Sequence, residues 1–183
     1  MTAADVTLAP EETPFWRFSG TVYAHRGVAE ACLSLQDRHH LDVNLLLFCA
    51  WAGSRGHRLD GGELGQLRSL VRPWHDQVVG PLRGARRWLK VQTSVPDSLA
   101  EAFREEVKSL ELQAEMLEQL MLFQEIEIAD GNGTADDVAA NLLLYLTRMK
   151  PLPTDDDIAD LSAVLSGTCP DLAPVHAIRI LEG

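Results

Sequence analysis

The clearest pattern of apolar and polar positions runs from Glu63 to Lys90. Apolar residues recur there in steps of three and four, at positions 64, 67, 71, 74, 78, 82, 85 and 89. This spacing places them along one side of an α-helix. Pro73 and Pro81 lie inside the segment, and a proline removes a backbone donor from a helix interior. The pattern therefore predicts an amphipathic helix that either kinks or breaks into two.

Two other segments also predict helices, one apolar on every side and one rich in glutamate. Residues 43–53 include the stretch LLLFCAW, which is apolar on every side. A helix without a polar face belongs at the centre of a bundle, and Asp42 is placed to cap its start. The segment from Asp97 to about Ile128 is rich in glutamate and predicts the longest helix of the protein.

Shorter helices are predicted on both sides of these elements. Thr13 followed by Pro14 marks the start of the first one, and Gly27 ends or bends it. Thr134 and Thr154 begin two later helices with acidic first turns, which offset the helix dipole. The expected fold class is all-α: a single compact irregular bundle of roughly six or seven helices with one long central-to-C-terminal helix.

The composition agrees with one globular domain. The chain has 183 residues, of which 46% are hydrophobic and 23% charged, and this suffices for one core. We expect residues 1–12 to be flexible and residues 13–183 to form the domain, with 131–183 as a helical extension. No apolar run reaches the roughly 20 residues of a membrane span. Without a visible signal peptide or paired cysteines, a cytoplasmic protein is predicted.

Charge is distributed unevenly along the chain. The formal net charge is -11, which argues against binding to nucleic acid or to an anionic membrane. Residues 55–90 nevertheless carry eight basic residues against three acidic ones. A basic segment within an acidic protein suggests a local role for the positive charges.

The densest basic stretch is PLRGARRWLK, residues 81–90. Its four basic residues form two pairs that are four positions apart, so each pair shares a side of the helix. Arginine and tryptophan are favoured at protein interfaces. The candidate binding residues of this face are Arg83, Arg86, Arg87, Lys90, Trp74 and Trp88. The alternative is that the face pairs internally with the glutamate-rich helix.

A second candidate site is a pocket near the start of the apolar helix. Asn44 follows Asp42 there, and four tryptophans among eleven aromatic residues are unusual. The candidate lining residues are Trp16, Arg17, Asp42, Asn44, Trp51 and Arg72. The plainer interpretation is that Asn44 serves the first turn of the helix and that the tryptophans fill the core.

Three patterns resemble metal sites without meeting their requirements. Asp156, Asp157 and Asp160 match an aspartate-rich magnesium motif, but they start a helix, where acids are expected anyway. Residues 130–141 lack the glycine and the glutamate that a calcium-binding hand needs. No Glu-x-x-His pair occurs for a di-metal bundle. We therefore predict no metal and no cofactor, and no catalytic motif identifies a reaction.

Four sequence blocks resemble a known family. They are FWRFSGTVYAHRGVAEACLSLQD, LDVNLLLFCAWAGSRG, PWHDQVVGPLRGARRWLK and ELQAEMLEQLML, in this order within residues 14–123. The chain resembles an uncharacterised family of short proteobacterial proteins, a domain of unknown function. The resemblance implies a small, mostly helical cytoplasmic protein and implies no activity.

Two functional hypotheses follow from these patterns. The first is a non-catalytic interaction or adaptor protein that binds another cytosolic protein through the basic, Trp-containing face. The second is a small helical enzyme or ligand-binding protein that recognises a phosphorylated or carboxylated small molecule. A homodimer is compatible with both, because the long helix carries apolar residues on two sides.

Overall fold

A computed structural model describes residues 9–183. Within this range nine α-helices follow one another, and no strand is present. They are α1 (Pro14–Tyr23), α2 (Val28–His39), α3 (Val43–Ser54), α4 (Gly61–Trp74), α5 (Gly80–Leu89), α6 (Asp97–Glu125), α7 (Ala135–Met149), α8 (Asp155–Thr168) and α9 (Pro174–Glu182). The all-α prediction is confirmed. The helix count is higher than the six or seven predicted. Helix α1 already ends at Tyr23, and Gly27, at φ 84°, is the N-cap of α2.

The N-terminal part of the described chain is short. A 3-10 helix, Pro10–Glu12, precedes α1 and contacts both α1 and α6. The Oγ atom of Thr13 accepts a hydrogen bond from the backbone N–H of Trp16, as expected for a cap. Residues 1–8 of the segment predicted to be flexible lie outside the described residues.

Helix α3 forms the centre of the fold. Its residues from Asn44 to Gly53 are all buried, and it packs against α1, α6, α7 and α8. The approach of α3 to α7 is close, because a Cβ atom added to Gly53 would lie 2.5 Å from the Cα atom of Val138. The prediction of a central apolar helix is confirmed.

Helices α4 and α5 belong to one uninterrupted helical segment. A π-helical stretch, His75–Val79, joins them, and the N–H of Gly80 donates to the carbonyl of His75. Pro81 has no N–H to offer to the residue four positions earlier, and the wider π turn accommodates that loss. The segment therefore neither ends nor breaks at its prolines. His75 is the first residue of the π stretch.

The longest helix is α6, with 29 residues, and it packs beside both α4 and α5. Helices α7, α8 and α9 follow it and cover α3 and α2. Thr134 and Thr154 cap α7 and α8 as predicted, each within a capping box. Among residues 9–183 no helix is both long and apolar enough to cross a membrane.

Candidate functional site

Asp42 stands at the N-terminus of α3 and uses its two carboxylate oxygens differently. Oδ1 accepts hydrogen bonds from the backbone N–H groups of Asn44 and Leu45, which caps the helix. Oδ2 is buried and has no hydrogen-bond partner. The backbone N–H of Asp42 donates to the hydroxyl oxygen of Tyr145 on α7. The Asp42 carboxylate is therefore hydrogen-bonded at Oδ1 and has no hydrogen-bond partner at Oδ2.

His75 and Glu118 direct one atom each toward that open oxygen. His75 Nδ1 lies 3.4 Å from Asp42 Oδ2 and 3.3 Å from Glu118 Oε1. Neither contact has hydrogen-bond geometry, so all three atoms are buried without a partner. The three atoms lie within 4.8 Å of one another. We call Asp42, His75 and Glu118 the buried triad.

A chain of amides fixes the carboxylate of Glu118. Its Oε2 atom accepts a hydrogen bond of 2.6 Å from the side-chain amide of Asn44. The Oδ1 atom of Asn44 accepts in turn from Gln119 Nε2, and Gln119 Oε1 accepts from the hydroxyl of Ser19. These contacts orient Glu118 so that its other oxygen, Oε1, points at His75. Partners of this kind commonly orient metal ligands.

Burial and neighbouring charges shift the pKa values of two triad residues, Asp42 and His75. Burial, followed by the charge of Glu118, raises the pKa of Asp42 to about 7. The pKa of His75 is also raised, first by its contact with Glu118 and then, against the opposing effect of burial, by Asp42. A buried carboxylate is costly unless a partner neutralises it. When both carboxyl groups are deprotonated, their two negative charges exceed the single positive charge of a protonated imidazole.

The spacing of the triad suits a divalent cation. In a tetrahedral site with bonds of about 2.1 Å, neighbouring ligand atoms lie about 3.4 Å apart. The two distances from His75 Nδ1 match that value. One imidazole nitrogen and two carboxylate oxygens form a mixed donor set, of the kind that binds first-row ions such as Mn²⁺ or Zn²⁺. Among the residues that the structure describes, these are the ones that could hold a metal.

Two cavities open onto the triad. One of about 210 Å³ is lined by Asp42 and His75 together with Arg68, Arg72 and Tyr145. The other, of about 570 Å³, is lined by His75 but by neither Asp42 nor Glu118. His40, Asp76 and His75 line both cavities. The triad is thus buried in the protein but lies next to space that a small molecule could enter.

The predicted basic face is largely engaged inside the protein. Arg83 donates to Glu111 at 3.1 Å and to Glu115 at 2.6 Å, and Arg86 also pairs with Glu111. This is the internal pairing of the basic face with the glutamate-rich helix that the sequence left as an alternative. Burial opposes a low pKa for Glu111, but the two guanidinium groups outweigh it and lower the pKa of that carboxyl.

The remaining residues of the basic face separate into two groups. The indole N–H of Trp74 donates to the carbonyl of Ala114, which fixes Trp74 against α6. Arg87, Trp88 and Lys90 are exposed, and Arg87 lies 3.4 Å from Asp37. The face is therefore not one continuous basic surface, because only its C-terminal end reaches solvent.

The residues predicted to line one pocket lie in four different surroundings. Asp42 and Asn44 belong to the triad and its supporting network, and Arg72 lines the 210 Å³ cavity beside them. Trp16 and Asn44 line a separate cavity of about 230 Å³ that also touches Arg83. Trp51 packs in the core among Phe15, Phe48 and Phe123. Arg17 is exposed on α1.

The sequence analysis did not identify His75 or Glu118. His75 follows an apolar helix position and matches no metal-binding or catalytic motif, and Glu118 is one of many glutamates on α6. The only local signal was Asp42 with Asn44 at the start of the apolar helix. The three triad residues come from separate segments, so their spacing along the chain carries no signature.

The acidic motifs considered in the sequence serve helix starts. Asp157 caps α8 together with Thr154 and pairs with Arg38 at 2.8 Å and His39 at 2.6 Å. Asp137 completes the capping box of α7. The side-chain oxygen of Asn141, at the end of the calcium-like loop, accepts from the backbone N–H of Leu59. Each of these polar groups therefore has a structural partner.

The fold and this centre define a class: an all-helical protein in which one histidine and two carboxylates each direct one buried atom without a hydrogen-bond partner toward the other two. The chain belongs to the family described as Protein of unknown function (DUF2390), whose sequence model matches residues 14–122. All three triad residues fall within the matched range. No curated protein and no solved structure matches the chain.

Proposed function

We propose that this protein binds one divalent metal ion through Asp42, His75 and Glu118. The observation that carries the proposal is the convergence of three buried, unpartnered ligand atoms, with 3.3 and 3.4 Å from the imidazole nitrogen to the two oxygens. Buried polar atoms in proteins almost always have a partner, so each exception calls for a missing one. A cation at the centre of the triad would contact all three atoms at once.

The charges of the centre support the same conclusion. A divalent cation would offset both carboxylates, whereas a protonated His75 offsets one. Metal ligands are also normally supported by a surrounding layer of hydrogen bonds. Asn44 and Gln119 supply such a layer to Glu118, and the helix N-terminus supplies it to Asp42. The arrangement is pre-organised for a ligand set rather than for a simple ion pair.

Thermal unfolding with added metal tests the proposal. Protein treated with a chelator is unfolded with and without Mn²⁺, Zn²⁺ or Mg²⁺. At 100 times the dissociation constant, a bound ion should add about 2.7 kcal/mol to the free energy of unfolding. For a chain of this size, that corresponds to a rise of about 5–10 °C in Tm.

The matched variants are Glu118→Gln and His57→Gln. The first keeps the shape of the side chain and an acceptor for Asn44 but removes a charged ligand. The second removes a histidine that lies 3.0 Å from Glu63, outside the triad. We expect the metal-dependent rise in Tm to vanish in Glu118→Gln and to persist in His57→Gln. An unchanged rise in Glu118→Gln would place the bound ion elsewhere and overturn the proposal.

A second candidate function, protein interaction, is favoured by one observation. Apolar side chains remain exposed along α6, among them Phe103 at 55%, Leu110 at 51% and Leu117 at 40%. Their spacing of seven residues suits pairing with another helix. We infer a second copy of this chain as the partner, since an identical stripe on the same helix is self-complementary.

Sedimentation velocity tests this second function. The wild-type protein should sediment as a dimer, and Phe103→Ser with Leu110→Ser should convert it to a monomer. Leu152→Ser is the matched control, because Leu152 is 80% exposed but lies outside α6. A wild-type protein that stays monomeric at high micromolar concentration would contradict pairing through α6.

A further inference from the structure

Two adjacent cavities form one groove between α4 and α7. The 210 Å³ cavity beside the triad and a cavity of about 200 Å³ both have Arg68 and Tyr145 in their walls. The second cavity continues toward Arg148 on α7 and Gly61 at the start of α4. We call the space along these two cavities the arginine groove. Its inner end reaches Asp42 and His75, and its outer end reaches solvent.

The groove is positively charged in a strongly acidic protein. Arg68 and Arg72 are four residues apart on α4, so both project from the same side of that helix. Arg148 faces the groove from α7. Among residues 9–183, the acidic side chain that pairs with one of these arginines is Asp76, which lies 3.4 Å from Arg72. His40, at the end of α2, and Asp42 and His75, at the floor, complete the titratable groups that line it.

Tyr145 adds a neutral donor at the junction of the two cavities. Its hydroxyl oxygen accepts the backbone N–H of Asp42, which leaves the phenol O–H available to donate. A proton donor beside arginine side chains suits an oxygen-rich anion and does not suit a cation.

We propose that the arginine groove binds a small molecule through its phosphate group, and that a phosphate oxygen completes the coordination of the metal held by the buried triad. The inference rests on the proposed metal site and names the ligand class of that site. The triad supplies three ligands, so a tetrahedral or larger coordination shell keeps a position for one more.

Phosphate fits the groove better than a carboxylate does. Arginine presents a planar fork of donors that matches phosphate oxygens, and a phosphate has enough oxygens to contact several donors at once. Arg68, Arg72 and the Tyr145 hydroxyl would contact the oxygens directed away from the metal. A single carboxylate, with two oxygens, cannot contact the metal and all of these donors together.

The experiment titrates inorganic phosphate into the protein by calorimetry, once with one equivalent of Mn²⁺ and once after chelator treatment. Three proteins are compared: wild type, Arg68→Gln with Arg72→Gln, and Arg17→Gln with Arg26→Gln. The last variant removes the same charge from exposed arginines outside the groove. Mn²⁺ affinity is measured for all three proteins, and acetate serves as a carboxylate probe.

We expect the wild type and the Arg17/Arg26 variant to bind phosphate equally, more tightly with Mn²⁺ than without it, and more tightly than acetate. The Arg68/Arg72 variant should bind Mn²⁺ normally but lose at least about tenfold in phosphate affinity, since charge-assisted hydrogen bonds are removed. Equal phosphate binding by the Arg68/Arg72 variant, or none by Mn²⁺-loaded wild type, overturns the inference and leaves the metal site intact. If the wild type binds no metal, the proposed function itself is contradicted. The part of this inference in which phosphate coordinates the metal is then contradicted as well.

Discussion

His75 Nδ1 and Glu118 Oε1 lie 3.3 Å apart in the core, and neither atom makes a hydrogen bond. One comes from the π turn between α4 and α5, the other from the C-terminal half of α6. With Asp42 they form a centre whose atoms converge without satisfying one another. The supporting residues Asn44 and Gln119 are fully engaged. Gln36 Oε1, Trp51 Nε1 and Ser166 Oγ are also buried without a partner, but the three atoms of the triad are the ones that converge on a single point, where a cation would fit.

The first prediction concerns Asn44, which donates to Glu118 Oε2 at 2.6 Å. In Asn44→Ala the carboxylate of Glu118 loses its orientation, and we expect the affinity for Mn²⁺ or Zn²⁺ to fall by about 10–100-fold. Calorimetric titration of metal into the variant measures the change. Ser19→Ala, which alters only the far end of the amide chain, should weaken binding much less. Equal losses in the two variants would show that the amide chain does not act through Glu118.

The second prediction concerns pH and Asp157. Burial alone would raise the pKa of Asp157, but hydrogen bonds from the Thr154 backbone, His39 and Arg38 outweigh it and lower the pKa below the ordinary value of 3.8. Because the folded state favours the ionised carboxylate, Asp157 stabilises the fold fully above pH 3.8, the ordinary pKa of an aspartate. This stabilisation is lost as the pH falls below that value toward the lowered pKa of the folded state. We expect Asp157→Asn to cost about 2–3 kcal/mol at pH 7.

Chemical denaturation at pH 7 and at pH 3 checks this prediction. The difference between wild type and Asp157→Asn should shrink at the lower pH. Asp171→Asn, at an exposed position, should show little difference at either pH. If the difference in unfolding free energy between wild type and Asp157→Asn grew as the pH falls, the lowered pKa of Asp157 would be contradicted.

The third prediction separates the buried and exposed parts of the basic face. Glu111 is nearly buried and accepts from both Arg83 and Arg86. Glu111→Gln leaves Arg86 without its counter-charge and Arg83 with Glu115 alone, and we expect a loss of about 1–3 kcal/mol in unfolding free energy. Arg87→Gln, at an exposed ion pair, should cost less than about 0.5 kcal/mol. Urea unfolding of both variants measures the two values, and equal costs would contradict the internal role of Glu111.

The fourth prediction tests the close contact of α3 with α7. The Cβ atom of Gly53→Ala would fall 2.5 Å from the Cα atom of Val138, so the two helix backbones must separate. We expect a loss of about 1–3 kcal/mol or more, the range of overpacked cores. Gly65→Ala is the control, because a Cβ atom there has nothing within 4 Å. It should be neutral or slightly stabilising, as alanine favours helix. Thermal unfolding compares the two variants.

Local patterns were enough to predict much of the fold. The apolar run in α3 predicted its central place, and the hydroxyl caps at Thr134 and Thr154 predicted two helix starts. The prolines of the α4–α5 segment predicted an irregularity but not its form. The π turn packs against α6, and a contact between distant segments cannot be predicted from a local sequence pattern.

The site was predictable only in part. Asp42 and Asn44 were singled out because polar residues precede an unusually apolar helix. Arg72 was named as well and does line the cavity beside the triad. Nothing in the sequence distinguishes Glu118 from the other glutamates of α6. His75 reaches the triad from the π turn between α4 and α5, whose form the sequence did not predict. Residues brought together by tertiary packing leave no spacing in the sequence.

The most direct test of the central claim is an anomalous difference map from crystals grown with Mn²⁺. We predict one peak between the three side chains, within roughly 2.0–2.3 Å of Asp42 Oδ2, His75 Nδ1 and Glu118 Oε1. The same map from Glu118→Gln crystals should lack it. A well-ordered triad with no peak, and with His75 Nδ1 donating a hydrogen bond to a carboxylate, would contradict the metal site.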